Sequence, residues 1–461
     1  MAEKFDITVI GAGPGGFRAA VRCAQRAASV AIIEKDFIGG TCLNWGCIPS
    51  KALLASAHTL LAAKNAAAMG VDIASATPNW PKIQARKDSI VAGFRKAMTD
   101  SIQTSGAKLI QGRAIVISPN QIKIETDNGT VEILTDKIIL ATGSEPIQIP
   151  TIPFDGQTVI SSKEALSLQQ IPKSMVIVGG GAIGCELACV YAAVGTKITI
   201  VEALSRLIPM EDQWVGQLIE RELKKLGINV LTSQKVISTD KTTGLAKIVL
   251  ENGQTIEAEK LLISVGRKAA CDKQTIEALN LETSGSAIKV NERLQTSAKN
   301  VYAIGDVAGT TYLAHGAAAE AEVAAVNATG GSDKMTDYSL VPRVVYTFPE
   351  VASVGKSEKT CNAEGIKFSV GKAFFRADGQ SVAHGQTIGE IRATRDNSTN
   401  KIIGITIVGE MATELIAAAR IFIGSDEKIS KITFAHPTVS ETLHDAVENA
   451  FGPSLHNMPK A

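Results

Sequence analysis

The stretch Phe5–Gly16, FDITVIGAGPGG, is an apolar strand that runs directly into a glycine-rich turn. A helix-like segment follows, and a second apolar strand then ends at Glu34, 23 positions after Gly11. Gly11 allows a tight turn, Gly13 lets the backbone approach a pyrophosphate, and Gly16 permits close packing of helix on strand. The amide N–H groups at the start of the helix then bind the phosphates. The stretch is therefore typical of a Rossmann-like dinucleotide-binding unit.

A second copy of this unit lies in the middle of the chain. Met175–Val178 is again an apolar strand, and Gly179, Gly181 and Gly184 follow with the same spacing. The next strand ends at Glu202, again 23 positions after the first glycine of the turn. One glycine-rich turn is weak evidence, but two turns with matching strands, helices and carboxylates predict an α/β chain with two Rossmann-like dinucleotide-binding domains.

Glu202 also indicates which nicotinamide nucleotide the second unit prefers. A carboxylate at the end of this strand accepts hydrogen bonds from ribose hydroxyls. A 2′-phosphate about 4 Å away would meet a repulsion on the order of 4 kcal/mol in a surface-like dielectric. Arg206 lies four residues further on and would soften this preference, but one arginine is thin support for a phosphate pocket. The sequence therefore favours NAD over NADP.

The segment Gly39–Lys51, GGTCLNWGCIPSK, follows the first unit and contains Cys42 and Cys47. On a regular helix, residues five apart have Cα atoms about 8.6 Å from each other, and a disulfide needs them within about 7 Å. The pair can close only if the backbone is irregular, which Gly46 permits. A strained disulfide within reach of a bound nucleotide is a redox device rather than a structural crosslink. The alternative is a pair of unrelated buried thiols.

Composition excludes several classes of function. The chain has 461 residues and a net charge of +1 with both signs interspersed, so neither a nucleic-acid surface nor an anionic-membrane surface is expected. No long apolar run predicts a membrane span. A strand-like segment starts almost at the N-terminus, so no targeting segment is expected and we predict a cytoplasmic protein. Five cysteines lack metal-ligand spacing, so they predict buried thiols and no metal site: Cys23, Cys185, Cys189, Cys271 and Cys361.

Further segments carry a resemblance to a known family. Besides the cysteine segment, they are Ile139–Gly143 (ILATG), Ser264–Arg267 (SVGR), Val301–Asp306 (VYAIGD), Tyr346–Ala352 (YTFPEVA) and His436–Glu441 (HPTVSE). With them, the chain resembles the pyridine nucleotide–disulfide oxidoreductase family over essentially its whole length, and within that family the members that oxidise dihydrolipoamide. The cysteine and histidine segments are highly specific, whereas the connecting motifs are less so.

The resemblance implies a reaction and the residues that bind its cofactors. The enzyme would oxidise protein-bound dihydrolipoamide to lipoamide through the Cys42–Cys47 disulfide and FAD, and would reduce NAD to NADH. Cys42 would face the substrate, Cys47 would lie against the flavin, and Lys51 and Glu186 would form an ion pair beside the flavin. The FAD contacts would be Gly11, Gly13, Gly16, Glu34, Thr41, Lys51, Ala114, Thr142, Asp306 and Ala314. The NAD contacts would be Gly179, Gly181, Gly184, Glu202, Val236, Gly266 and Arg267.

The resemblance also implies that His436 acts from the other subunit of a homodimer and is oriented by Glu441. An imidazole suits the role, because a dithiol must lose protons to become nucleophilic and imidazole accepts them near neutral pH. Glu441 has a competing role, since Thr438–Glu441 has the pattern of a capping box for the helix that follows. It either orients His436, caps the helix or does both. The bond before Pro437 is a candidate for the cis form, since a rigid turn there would aim the imidazole.

The partners implied are lipoyl domains and the core of a 2-oxo acid dehydrogenase complex. No lipoyl-bearing arm precedes Phe5, so the lipoyl group is expected on another protein. One alternative is another disulfide reductase of the family, such as a glutathione reductase, but Glu202 in place of a phosphate-binding arginine cluster argues against it. Another is a signalling flavoprotein that binds FAD and NADH without catalysis, which would not need Cys42, Cys47 and His436 together.

Four segments are expected along the chain. Residues 1–148 would form the first part of the FAD-binding domain, with long helices near 51–68 and 81–104, and residues 149–268 would form the NAD-binding domain. Residues 269–338 would return to complete the FAD site. Residues 339–461 would form an α+β dimer-interface domain, with strands at 343–347, 388–394 and 402–408.

Overall fold

The structure is a computed structural model that describes residues 2–240 and 244–452. The first glycine turn lies at the centre of a parallel sheet. The elements before residue 148 are β1 (Glu3–Ile10), α1 (Pro14–Gln25), β2 (Val30–Glu34), α2 (Gly40–Trp45), α3 (Cys47–Lys64), α4 (Trp80–Thr104), β3 (Lys108–Gln111), β4 (Arg113–Ser118), β5 (Gln121–Thr126), β6 (Gly129–Leu140) and β7 (Ser144–Pro146).

In this first sheet, β1 pairs in parallel with β2 and with β6, and β3 pairs with the outer side of β2. β5 and β4 extend the sheet from β6 as an antiparallel meander. β1 and β2 are nearly continuous apolar runs because helices or other strands cover both of their faces. Val9 and Ile32 are fully buried at the centre of this core.

The second glycine turn has the same setting. Its region contains β8 (Val159–Ile160), α5 (Ser162–Ala165), β9 (Ser174–Val178), α6 (Ala182–Ala193), β10 (Lys197–Val201), α7 (Gln213–Lys225), β11 (Asn229–Leu231), β12 (Val236–Asp240), β13 (Ala246–Leu250), β14 (Thr255–Ala258), β15 (Lys260–Ile263) and β16 (Arg267–Ala269). The parallel sheet has the order β11-β10-β9-β15-β8, and β12, β13 and β14 form a separate antiparallel sheet.

The chain then returns to the first sheet. This segment contains α8 (Lys273–Ala278), β17 (Thr283–Ser284), β18 (Ala287–Ile288), β19 (Val301–Ala303) and α9 (Ala314–Ala328). β19 pairs in parallel with the end of β6, and α9 packs on α1. The parallel strands β3-β2-β1-β6 therefore correspond in order to β11-β10-β9-β15 of the second sheet, whereas the outer strands differ, since β19 follows β6 along the chain and β8 precedes β9.

The remaining residues form a mixed α and β layer. Its elements are β20 (Arg343–Val345), β21 (Glu350–Gly355), α10 (Glu358–Glu364), β22 (Phe368–Phe374), α11 (Gly379–Ala383), β23 (Glu390–Asp396), β24 (Lys401–Gly409), α12 (Ala412–Phe422) and α13 (Ser440–Phe451). The sheet is antiparallel, with the order β20-β21-β24-β23-β22. α12 packs on β21 and β24, and α13 packs on β22 and β23.

The predicted fold class is confirmed, and the element bounds differ in detail. The two expected long helices are α3, which already begins at Cys47, and α4. The three expected C-terminal strands correspond to β20, β23 and β24, but β21 and β22 were not predicted. Cys271 is only half-buried, whereas the other four cysteines outside the pair are buried as expected. The boundaries near 148 and 268 remain predictions, since β7 and β16 pair with each other beside both of them.

Within the described ranges, no helix combines the length and the apolar character that a membrane-spanning segment needs.

Candidate active site

The two glycine turns have nearly the same geometry. Gly11 and Gly179 have φ values of +100° and +108°, which residues with a side chain rarely adopt. A Cβ added to Gly16 would lie 1.9 Å from the carbonyl oxygen of Gly11, and one added to Gly184 would lie 2.0 Å from that of Gly179. The helices α1 and α6 therefore begin against their turns, with free N–H groups directed at the same end of each sheet.

The carboxylates Glu34 and Glu202 are also held alike. Oε2 of Glu34 accepts a hydrogen bond from the N–H of Ala12 at 2.7 Å, and Oε2 of Glu202 accepts one from Gly180 at 2.6 Å. In each case the other oxygen accepts from the amide two residues further on, at 2.8 and 2.7 Å. Each carboxylate is thus fixed beside its glycine turn, and its oxygens keep lone pairs that ribose hydroxyls can use.

One flanking segment lies beside each carboxylate. The N–H of Gly112, just before β4, donates to the carbonyl of Glu34 at 2.8 Å, and the N–H of Gln234, just before β12, donates to that of Glu202 at 3.0 Å. Ala114 and Val236 follow on these two strands. Both predicted backbone contacts therefore lie at the carboxylate end of their unit.

The cysteine segment packs directly on the first turn. Gly40, the first residue of α2, has a φ of +54°, and a Cβ added to it would lie 2.8 Å from the Cα of Gly13. This contact requires glycine at Gly40 and places Thr41 and Cys42 beside the first dinucleotide turn. The N–H of Gly39 also donates to the carbonyl of Ala12 at 2.8 Å, which fixes the entry to α2.

Two predicted FAD contacts, Thr41 and Asp306, meet Ser144 around Arg267. Its Nε donates to the Ser144 hydroxyl at 2.7 Å and Nη2 donates to the Ser144 carbonyl at 2.7 Å, while Nε lies 4.0 Å from Asp306 and Nη2 lies 3.5 Å from Thr41. Burial lowers the pKa of Arg267, and the charge of Asp306 opposes that shift. The guanidinium thus lies with Thr41 and Asp306, which are predicted to contact FAD, and its assignment to NAD stays a prediction. The antiparallel pairing of β16 with β7 brings Arg267 back to the first domain.

Gly266, predicted beside Arg267, forms the turn into β16 with a φ of +126°, and its carbonyl accepts from the N–H of Ile147 at 3.0 Å. This turn connects β15 of the second sheet to the strand pair that leads back to the first domain. Gly266 therefore lies at the end of the second sheet, whereas the side chain of Arg267 lies beside Ser144.

A buried carboxylate supports the turn that contains Asp306. Glu320 on α9 is fully buried and accepts from the N–H of Gly305 at 2.5 Å, from the Thr310 hydroxyl at 2.6 Å and from the Tyr338 hydroxyl at 2.8 Å. Burial raises the pKa of Glu320, and these donors work against the shift. The contacts fix the Asp306 turn to the helix that begins at Ala314.

The donors and spaces of the first unit fit a dinucleotide. The Thr142 hydroxyl is buried and has no hydrogen-bond partner within the described part of the chain, as expected for a group that bonds to a cofactor. A Cβ added to Gly13 would meet only the Cα of Gly40, at 4.0 Å, and one added to Gly181 would meet nothing within 4 Å. The residues at both turns therefore leave the backbone open to a pyrophosphate.

The cysteine pair spans a break between two helices. α2 ends at Trp45 and α3 begins at Cys47, because Gly46 between them has φ −145° and ψ −113°, outside the helical region. The irregular backbone that the pair requires is therefore confirmed. Both cysteines are half-buried, and their side chains lie within hydrogen-bonding reach of each other.

The pKa values of the two thiols are shifted in opposite directions. The hydrogen bond from Cys42 is the largest effect that lowers the pKa of Cys47, to about 7, and the positive charge of Lys51 adds to it. The same hydrogen bond and burial raise the pKa of Cys42 far above its usual range. Cys47 is therefore the more acidic thiol of the reduced pair, and Cys42 is the less acidic one.

Lys51 and Glu186 form the ion pair that the sequence predicts. Lys51 lies one helical turn after Cys47 on α3, and Glu186 lies on α6, which packs against α3. The distance from Nζ to Oε2 is 2.7 Å, and Glu186 is 7 % exposed. Its Oε1 accepts from the backbone N–H of Tyr346 at 3.0 Å. The pair therefore joins the two dinucleotide-binding regions next to the cysteines.

His436 and Glu441 form a second pair. The His436 Nδ1 atom lies 3.1 and 3.2 Å from the two carboxylate oxygens, and the His436–Pro437 bond is cis, as proposed from the sequence. Glu441 also accepts from the N–H of Thr438 at 2.9 Å, whereas the Thr438 hydroxyl donates to the Ala435 carbonyl at 2.8 Å. Only half of the expected capping box forms, and Glu441 takes both roles. The His436 side chain is 78 % exposed.

Sequence reasoning missed Ser144, Glu320 and the backbone of Tyr346. Ser144 directly follows the ILATG segment and Tyr346 opens the YTFPEVA segment, so both positions were within the quoted motifs or next to them. Glu320 gave no signal, since a glutamate in an alanine-rich helix normally indicates a solvated face.

Sequence comparisons agree with this arrangement. The model of the family described as pyridine nucleotide-disulphide oxidoreductase matches residues 5–321, and that of its dimerisation domain matches residues 341–447. A dihydrolipoyl dehydrogenase from Bacillus subtilis is 36 % identical over 458 residues, which cover 98 % of this chain and 99 % of that protein. One from Chlorobaculum tepidum is 37 % identical over 98 % of both chains.

Among solved structures, LpdA from Mycobacterium tuberculosis has a TM-score of 0.90 over 97 % of this chain and 99 % of its own, at 24 % identity, and supports the fold. The chain is an oxidoreductase that uses FAD and NAD, and its dimerisation domain supports a homodimer. The duplicated glycine turns, the cysteine pair between them and the two matching models together show that the chain belongs to the pyridine nucleotide-disulphide oxidoreductase family.

Proposed function

We propose that this chain is an NAD-dependent dihydrolipoamide dehydrogenase, in which the Cys42–Cys47 pair oxidises a protein-bound dithiol. The observation that carries the proposal is the cysteine pair itself, placed against the first glycine turn and next to the Lys51–Glu186 ion pair that reaches the second domain. The names of the relatives from B. subtilis and C. tepidum support the same substrate.

The sulfur chemistry is an exchange of one disulfide for another. His436 accepts a proton from the substrate dithiol, and the resulting thiolate attacks Cys42, so that the Cys42–Cys47 bond breaks and Cys47 leaves as a thiolate. The second substrate thiol then displaces Cys42, which closes the substrate disulfide and leaves a reduced pair. A leaving thiol with a low pKa departs faster, and Cys47 has the lowered pKa of the two. Glu441 holds the imidazole through Nδ1, which leaves Nε2 for the substrate proton.

Each dinucleotide has its own set of residues. Gly11, Gly13, Gly16 and Glu34 would hold the adenosine diphosphate half of FAD, with Ala114 at its adenine, and Thr41, Thr142, Arg267, Asp306 and Ala314 would lie at its flavin end. Gly179, Gly181, Gly184, Glu202 and Val236 would hold NAD. When bound, FAD supplies the chemistry that takes the electron pair from sulfur and passes it on as hydride to NAD. In balance, the dithiol and NAD⁺ give the disulfide, NADH and one proton.

Glu202 supports NAD over NADP. Its carboxylate is 7 % exposed and its oxygens already accept from two backbone amides, so it cannot turn away from a 2′-phosphate without losing both bonds. Arg206 Nη2 donates to the Pro209 carbonyl at 3.2 Å, so this part of the guanidinium is already held by the chain.

We propose further that His436 serves the cysteine pair of the other subunit and that the lipoyl group arrives on a lipoyl domain of a 2-oxo acid dehydrogenase complex. The His436 side chain is 78 % exposed in the single chain, which supports its action on the other subunit. A proton acceptor that works in a site without water must be covered by protein, and the second subunit would cover it. We also propose a cytoplasmic location, as predicted from the sequence.

The test is the steady-state rate of NAD reduction by dihydrolipoamide, compared with NADPH-dependent reduction of oxidised glutathione. We expect turnover only with the first pair of substrates. Cys47→Ser should abolish it while the purified protein keeps its flavin, and Cys361→Ser, at a buried cysteine far from the pair in sequence, should leave it intact. Turnover with glutathione and NADPH, or full activity of Cys47→Ser, would contradict the proposal.

A further inference from the structure

Tyr346 lies one residue past β20 and contacts both members of the Lys51–Glu186 pair. Its backbone N–H donates to Oε1 of Glu186 at 3.0 Å. The centroid of its ring lies 4.2 Å from Nζ of Lys51, which donates to Oε2 of the same carboxylate at 2.7 Å. The C-terminal domain thus contacts the ion pair through Tyr346. The backbone N–H of this residue binds the Glu186 carboxylate, and its ring faces the Lys51 ammonium.

Lys51 needs such a support because its ammonium is a point charge on a flexible four-carbon stem. The side chain is 31 % exposed, so solvent competes with the protein for the charge. The face of an aromatic ring attracts a cation within about 6 Å of its centroid. Glu186 and the Tyr346 ring therefore hold the ammonium from two directions, and the ring also keeps water from one side of it.

The place of the ammonium matters for Cys47, one helical turn away. The groups that face this thiol are Cys42 on α2, Lys51 on its own helix, Glu186 on α6, Arg267 on β16 and the phenol of Tyr346. The charge of Lys51 lowers the pKa of Cys47, and the charge of Glu186 raises it. If Lys51 moved away into solvent, the fixed anion Glu186 would remain and would disfavour the thiolate.

We propose that Tyr346 is a positioning residue for the sulfur chemistry, since its ring holds the Lys51 ammonium where it stabilises the Cys47 thiolate. The inference deepens the proposed function and rests on it. Because the ring and not the hydroxyl makes the contact, phenylalanine is a matched replacement. Leucine and methionine keep the backbone hydrogen bond to Glu186 but remove the ring.

The experiment titrates Cys47 in the reduced holoenzyme with a Cys42→Ser background, which leaves a hydrogen-bond donor at that position and a single thiol in the pair. The ultraviolet absorbance of the thiolate is followed against pH, and the Cys42→Ser/Cys47→Ser protein serves as the blank. Tyr346→Phe should leave the midpoint unchanged. Tyr346→Leu should raise it by about half a unit, which lowers the rate of alkylation by iodoacetamide at pH 7 about twofold, since the pKa of Cys47 is about 7. Tyr346→Met gives the same comparison if the leucine variant does not fold.

The same series is repeated with Lys51→Met, which removes the charge that the ring is proposed to hold. The effect of Tyr346→Leu should then disappear, as expected for two residues that act through one contact. An equal shift in Tyr346→Phe and Tyr346→Leu, or a shift that persists in the Lys51→Met background, would overturn the proposal. The titration uses neither dihydrolipoamide nor NAD, so its result is independent of the turnover assay that tests the proposed function.

Discussion

Gly184→Ala tests the close contact on which the second dinucleotide unit depends. The added methyl carbon would lie 2.0 Å from the carbonyl oxygen of Gly179 and 2.9 Å from the hydroxyl of Ser264. Ordinary contact begins near 3.4 Å, so the helix α6 must move away from its turn by more than 1 Å. The first of these neighbours is backbone and cannot rotate aside.

The energetic consequence has two parts. Forcing an extra carbon into a packed site costs about 1–3 kcal/mol, and alanine in a helix recovers up to about 1 kcal/mol relative to glycine. We expect a net loss of about 1–2 kcal/mol in the free energy of unfolding. The movement of α6 also displaces Glu186, so the 2.7 Å contact with Lys51 lengthens and the Cys47 thiolate loses support.

Gly181→Ala is the matched control on the same turn. A Cβ there would meet nothing within 4 Å, and its φ of −78° suits alanine. Its stability should change by less than about 0.5 kcal/mol, but the methyl group would occupy the space proposed for the pyrophosphate and weaken NADH binding at least about tenfold. Urea denaturation and fluorescence titration with NADH measure the two effects. A stable Gly184→Ala protein, or a Gly181→Ala protein that binds NADH normally, would refute the reasoning.

Three further predictions follow from the site. Because the pKa of Cys47 is lowered from 9.0 to about 7 in the folded protein, its contribution to the stability of the reduced protein is complete above pH 9 and is lost as the pH falls through 7. Denaturation of the reduced protein and of Cys47→Ser across this range should therefore show a free energy of unfolding that falls more steeply with decreasing pH in the reduced protein. Parallel pH dependences of the two free energies would contradict the prediction. Arg267→Gln should speed the release of flavin, followed by its fluorescence, and leave the KM for NAD unchanged, since the guanidinium lies with Ser144 and Asp306; the reverse pattern would support its assignment to NAD. If His436 acts between subunits, a mixed dimer of one Cys47→Ser chain and one His436→Gln chain has one site with both residues intact. Such dimers should therefore regain about half of the wild-type activity. Inactive mixed dimers would show that His436 acts within one chain.

The sequence predicted the parts of the site that depend on local backbone rules. Two glycine turns with fixed spacing, the helix break at Gly46 and the turn at Pro437 follow from conformational limits that a few residues impose. The Lys51–Glu186 pair was accessible only through the family resemblance, since 135 residues separate the two side chains. No local rule could state that α3 would pack on α6.

The environments of Arg267 and Glu320 depend on how distant segments pack in the tertiary structure. Arg267 follows the end of the second sheet along the chain, but the pairing of its strand with β7 turns the guanidinium to the first domain. Glu320 is fully buried because three neutral donors from different segments converge on it. Neither the direction of a side chain across a strand pair nor the convergence of distant donors can be derived from spacing in one sequence.

The proposed function requires the cysteine pair and the flavin to be two successive electron acceptors in one chain. An anaerobic titration with dithionite, followed by flavin absorbance, counts the electrons that each protein takes up. A disulfide accepts two electrons and so does a flavin, so the wild-type chain should consume twice as much reductant as Cys47→Ser before both are fully reduced. Equal consumption by the two proteins would show that the cysteine pair takes up no electrons, and so cannot act as an electron acceptor before the flavin.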